Sequence, residues 1–154
     1  MWATAWLSAD ASVPGGGLLA LGQLSSSLKV ILDTNALMTP EQFGVDIFSE
    51  LQRLGYIECL VPRPVLRELR LLTTRADKGR DKVAARVGLG LAEQCKIMDT
   101  AANDADRAVE ELALQENATV FTNDKALKKR LSSKGITVIY LRQGRYLEAA
   151  VKEY

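Results

Sequence analysis

The chain predicts an α/β fold with a parallel sheet, and three observations carry that prediction. Short apolar runs at 29–32, 57–61, 96–98, 118–121 and 137–141 read as strands buried on both faces. Stretches with helical apolar spacing alternate with them, the pattern of strand–helix–strand units. With 154 residues, 47% of them hydrophobic, the chain suffices for one domain around a single core.

The elements follow in order. Val30-Ile31-Leu32 is the β-branched centre of the first strand, which ends at Asp33. From 40 to 54, Phe43, Ile47, Phe48, Leu51 and Leu54 recur at helical spacing, and Gly55 stops the helix. The second strand closes at Pro62, and Pro64 suits a first helical position. Val65, Leu66, Leu69 and Leu72 give that helix its apolar face. Residues 75–94 are charged and then rich in Ala, Leu and Gly, partly helical in expectation. Asn103 or Asp104 caps a helix whose apolar face is Ala105, Val109, Leu112 and Ala113. The last predicted helix spans 124–134 and ends at Gly135. Residues 1–28 carry one charge, Asp10, with runs of three Gly and three Ser. They are expected to be a loosely attached extension to a domain at 29–154.

Composition excludes whole classes of chemistry. There is no His, so Ser-His-Asp and Cys-His nucleophiles, His-ligated zinc and a His general base are all absent. Cys59 and Cys95 stand 36 apart without a CxxC pair, which argues against a disulfide framework and for reduced, partly buried thiols in a cytoplasmic protein. No stretch approaches the 18 or so apolar residues that a membrane span needs. The net charge of +1 hides blocks: 33–61 sums to −4, 62–92 to +5, 93–124 to −6 and 125–145 to +7. Such blocks fit solvated helix faces, or an acidic pocket rimmed by cations that hold phosphates.

Acid–base or metal chemistry must therefore run on carboxylates, and four stand out. Asp33 ends the first strand, where ligands bind in open α/β sheets, although an N-cap role explains it equally. Asn35 supplies a neutral donor two residues on. Asp124 repeats the device after the fourth strand, in Phe121-Thr122-Asn123-Asp124. Glu68 lies about 60° from the centre of its helix's apolar face at 100° per residue. Asp106 lies about 75° from its own face and Asp104 about 125°, which prefers Asp106 as the inward acid and Asp104 as the cap. Clustered carboxylates repel one another, and a hard divalent cation removes that repulsion.

These residues resemble the PIN-domain family of metal-dependent ribonucleases. The resemblance runs from about Lys29 to Leu141 and rests on four motifs: Val30-Ile31-Leu32-Asp33-Thr34-Asn35; Val61-Pro62 with Pro64 to Leu69 around Glu68; Ala105-Asp106-Arg107-Ala108-Val109; and Thr122-Asn123-Asp124-Lys125-Ala126-Leu127. Each is weak alone and specific in combination. The resemblance implies a Rossmann-like, three-layer fold with a central parallel sheet of order 3-2-1-4-5. It carries the family's four acids onto Asp33, Glu68, Asp106 and Asp124, with Asn35 and Thr122 beside the first and fourth. Asp104 stays an alternative third acid. One or two Mg²⁺ or Mn²⁺ ions, held by Asp33, Asp106 and Asp124, and cleavage of single-stranded RNA are implied with it. The chain looks most like archaeal PIN proteins related to those of small-subunit rRNA processing, with VapC-type toxins as neighbours. Implied partners are a precursor rRNA, a second copy of the chain, and ribosome-assembly factors or an antitoxin.

On that reading Arg63, Arg67 and Arg70 on one wall, and Lys125, Lys128, Lys129, Arg130 and Arg142 on the other, are candidates to hold RNA phosphates. Tyr140 and Tyr146 are candidates to stack bases or simply to pack. The competing readings are an RNA-binding PIN module with a silent metal site, and a toxin with a protein inhibitor. A phosphotransfer receiver or a haloacid-dehalogenase-type phosphatase needs acids that Asp33-Thr34-Asn35 does not supply.

Overall fold

The first apolar run forms strand β1 (Lys29–Leu32), and it lies inside the sheet rather than at its edge. The computed structural model describes residues 28–75 and 79–150, so the expectation for the N-terminal extension lies outside the described residues. After β1 come α1 (Thr34–Phe43), α2 (Ile47–Arg53), β2 (Glu58–Pro62), α3 (Arg63–Arg75), α4 (Gly79–Ala92), β3 (Lys96–Met98), α5 (Ala105–Glu116), β4 (Thr119–Phe121), α6 (Lys125–Ser133), β5 (Val138–Arg142) and β6 (Tyr146–Ala149). The sheet order is β3-β2-β1-β4-β5-β6. The first five strands are parallel and in the expected order; β6 adds an antiparallel edge. Val30, Ile31, Leu32, Leu60, Val120, Phe121 and Ile139 are buried as strand residues, with Phe48, Leu51, Leu69, Leu112 and Leu131 packed from the helices. Among the described residues no helix is long and apolar enough to cross a membrane.

The chain winds from β1 outward through β2 to β3, then crosses back to β4 on the other side of β1. That reversal opens a crevice at the carboxyl ends of β1 and β4. The register sharpens it. Leu32 pairs with Phe121, so the residues that follow, Asp33 and Thr122, leave adjacent strand ends side by side.

Three expectations change. The single helix expected at 40–54 is two helices, and the first begins earlier, at Thr34. Gly44 adopts φ +67°, which glycine tolerates without a Cβ penalty, and its N–H donates to the Pro40 carbonyl. Asp46 then caps α2 by accepting from Ser49 N–H. The 75–94 stretch holds α4 over 79–92, in line with its partly helical expectation, and Gly88 lets that helix press onto α1. A Cβ there would stand 3.1 Å from the Leu37 carbonyl oxygen. β6 was not expected. Gln143 and Gly144, both at positive φ, turn the chain back so that Arg142 pairs with Tyr146.

The cysteines are the third correction: Cys59 and Cys95 form a disulfide, with Cα atoms 5.0 Å apart. The reason is register. Leu60 on β2 pairs with Lys96 on β3, so the residues one position earlier face each other. A 36-residue separation hides a neighbour relation that exists only once the sheet forms.

Candidate active site

The crevice is built around Asp33. As N-cap of α1 it accepts from Thr34 N–H through Oδ1 at 2.5 Å. Its Oδ2 accepts from the Thr122 hydroxyl at 2.6 Å and from Asn35 Nδ2 at 3.2 Å. The side chain is almost wholly buried. Burial is the main cause that pushes its pKa up to about 6; the Thr122 and Thr34 hydrogen bonds oppose this, and the charges of Asp106 and Glu68 add to it.

Asp124 follows β4 as N-cap of α6, and its Oδ1 accepts from both Ala126 and Leu127 N–H groups. Its own N–H donates to Thr122 Oγ1 at 3.1 Å. One threonine hydroxyl thus ties the two strand-end acids together. Glu68 projects from α3 and is solvent-accessible. Partial burial raises its pKa, the Thr34 hydroxyl lowers it, and Asp106 and Asp104 raise it further. Asp106, in the first turn of α5, is raised by burial and by Asp104 and Asp124, with Arg130 opposing. Asp104 caps α5 by accepting from Arg107 N–H at 3.2 Å. Asp106 faces Asp33, Glu68 and Asp124 electrostatically, while Asp104 acts on Glu68 and Asp106 from the helix start.

Four carboxylates from four elements therefore feel one another's charge. The donor set is oxygen only, which suits a hard divalent cation better than a soft one. Among the described residues no three Asp, Glu or Cys side chains stand as a ready-made ion cage. The acids act on one another's charge without standing as such a cage.

A supporting network escaped the sequence reading. Asn123 N–H donates to Asn35 Oδ1 at 3.0 Å, its Nδ2 donates to Thr39 Oγ1 at 3.2 Å, and its Oδ1 accepts from Leu141 N–H at 2.8 Å. Thr39, fully buried, donates to the Asn35 carbonyl. Asn123 thereby fastens α1 to β5 and fixes the asparagine that touches Asp33. Its only local signal is a place between Thr122 and Asp124.

The basic candidates divide. Arg63 pairs with Asp99, Arg130 and Lys134 with Glu110, and Arg142 with Glu148. Those arginines are engaged within the chain rather than left wholly for a ligand. Arg67, Arg70, Lys125 and Lys129 are exposed. Lys128 stands 4.2 Å above the Tyr140 ring.

Residues 30–144 match the family described as a PIN-like domain. The chain belongs to the PIN-domain family. Among its relatives, Ribonuclease VapC4 of Methanocaldococcus jannaschii is 36% identical over 124 residues, spanning 78% of this chain and 95% of that protein. Ribonuclease VapC9 of Archaeoglobus fulgidus is 34% identical over 113 residues, or 73% and 82% of the two chains. The fold is similar to that of the PIN domain endonuclease Utp24, with a TM-score of 0.65 and 26% identity over 84% of this chain and 97% of that one. The matched segment runs from within β1 to the β5–β6 turn, so all four acids of this PIN domain fall inside it.

Proposed function

We propose that the chain is a divalent-metal-dependent endoribonuclease that hydrolyses phosphodiester bonds in single-stranded RNA. The observation that carries this is the convergence of Asp33, Glu68, Asp106 and Asp124 at the crevice between β1 and β4. The two VapC relatives, both ribonucleases by name, and the structural neighbour Utp24, an endonuclease, support it.

Each residue has a part. Asp33 accepts from Thr34, Thr122 and Asn35, which leaves one acceptor site on Oδ1 for an ion. Asp124 commits Oδ1 to its cap, so Oδ2 is the atom for the same task. Asp106 approaches from α5 and completes the set. Glu68, the most accessible acid, orients the attacking water. A bound Mg²⁺ or Mn²⁺ supplies a lowered water pKa and neutralises charge on the scissile phosphate. The exposed Arg67, Lys125 and Lys129 hold flanking phosphates without reading sequence.

The test is cleavage of end-labelled single-stranded RNA with Mn²⁺ or Mg²⁺. EDTA should abolish it, and Asp33→Asn should lower it by on the order of 100-fold or more. A folded protein that cuts no RNA with either ion, or cuts equally after Asp33→Asn, overturns the proposal. In the cell, precursor small-subunit rRNA is the substrate we favour. A toxin role is the second reading, favoured by the VapC relatives. Induced expression separates them: a toxin arrests growth, and Asp33→Asn relieves the arrest.

A further inference from the structure

Beside the carboxylates lies a cavity of about 520 Å³, inside the roughly 300–1,000 Å³ range of small-molecule pockets. Asn35 and Thr122, the two side chains that hold Asp33, form part of its wall. The cavity therefore adjoins the acid site through these two side chains.

Phe43, the last residue of α1, forms another part, with 54% of its surface exposed. It is backed by the β5–β6 turn: a Cβ at Gly144 would stand 3.3 Å from the ring, so glycine there leaves the ring its place. Tyr140 on β5 carries the Lys128 ammonium over its face, which holds a positive charge in the cavity wall. Lys125 adds a second cation at the start of α6. Gln42 brings an exposed amide that both donates and accepts.

We propose that this cavity holds one nucleobase of the RNA strand, beside the phosphate that meets the carboxylates. Phe43 is the stacking platform, Lys125 and Lys128 hold the adjoining phosphate, and Gln42 reads the base edge. A nucleotide joins a flat aromatic ring to an anion, and the cavity joins an open ring to fixed cations. An acidic peptide would use the cations and leave the ring idle; an apolar ligand would do the reverse. The inference takes its ligand, RNA, from the endoribonuclease reading.

The test measures binding of the full chain to single-stranded RNA decamers in EDTA, with one position at a time made abasic. One abasic position should weaken wild-type binding about tenfold. The same change should cost less than about twofold in Phe43→Ala, whose ring is already gone. Phe43→Leu, which keeps bulk and loses the ring, should behave as Phe43→Ala does and guards against a folding defect. Gln42→Ala should keep the abasic penalty but flatten the preference among the four bases at that position. Absence of any sensitive position, or equal sensitivity in the Phe43 variants, overturns the base site. Cleavage in Mn²⁺ is scored separately. No cleavage with a Phe43-dependent abasic effect overturns the nuclease and keeps the base site. Cleavage without that dependence overturns the base site alone.

Discussion

The Thr122 hydroxyl donates to Asp33 while accepting from the Asp124 N–H, so its single proton is committed to the first acid. That bond lowers the Asp33 pKa, which burial still leaves at about 6 against an ordinary 3.8. The folded chain thus binds this proton more tightly than the unfolded chain does. For the metal-free protein, Asp33 therefore removes up to about 3 kcal/mol of stability as pH rises from about 4 to about 6. Urea midpoints in EDTA across that range should fall accordingly. Metal affinity runs the other way, because only the ionised carboxylate holds a cation: Mn²⁺ binding should tighten as pH rises and level off above about 6. Thr122→Val should move that acidic limb to higher pH, and an unmoved limb would remove Asp33 as the titrating group. Asn123→Ala leaves the Leu141 N–H without its acceptor. It should cost about 2 kcal/mol, read as a melting temperature lower by about 5 °C.

At the scale of elements, helix starts and acids coincide. Asp33, Asp104 and Asp124 each cap a helix, whereas Asp106 sits within the first turn of α5 and is not its cap. The two candidates for the third acid separate on that difference. Asp106→Asn should melt like wild type and lose on the order of 100-fold in cleavage. Asp104→Asn keeps a good capping side chain and should retain activity within a factor of a few. The reverse pattern would make Asp104 the third acid. The acids were legible because their signals are local: a carboxylate after an apolar run, or a fixed angle from a helix's apolar face. Asn123 was not, because its partners Thr39 and Leu141 lie 84 and 18 residues away. The break at Gly44 was hidden because Phe43 and Ile47 keep helical spacing across it. The β6 edge was hidden because only Leu147 in it is buried.

Across the whole molecule, the sheet order was legible through the family resemblance, and the closure of its β2–β3 side was not. The Cys59–Cys95 disulfide closes a 36-residue loop and should contribute about 4 kcal/mol by chain entropy. Reduction with dithiothreitol should lower the melting temperature, and Cys95→Ser should lower it equally and abolish the response to reductant. An oxidised wild type that melts no higher than Cys95→Ser would show that the crosslink contributes nothing. The bridge also encloses α3 and α4, and with them Glu68. A protease cut anywhere between the two cysteines would leave both pieces in one covalent body, migrating as a single band until reductant is added. The backbone could then be severed within the segment that bears an acid, and the severed piece could not diffuse away.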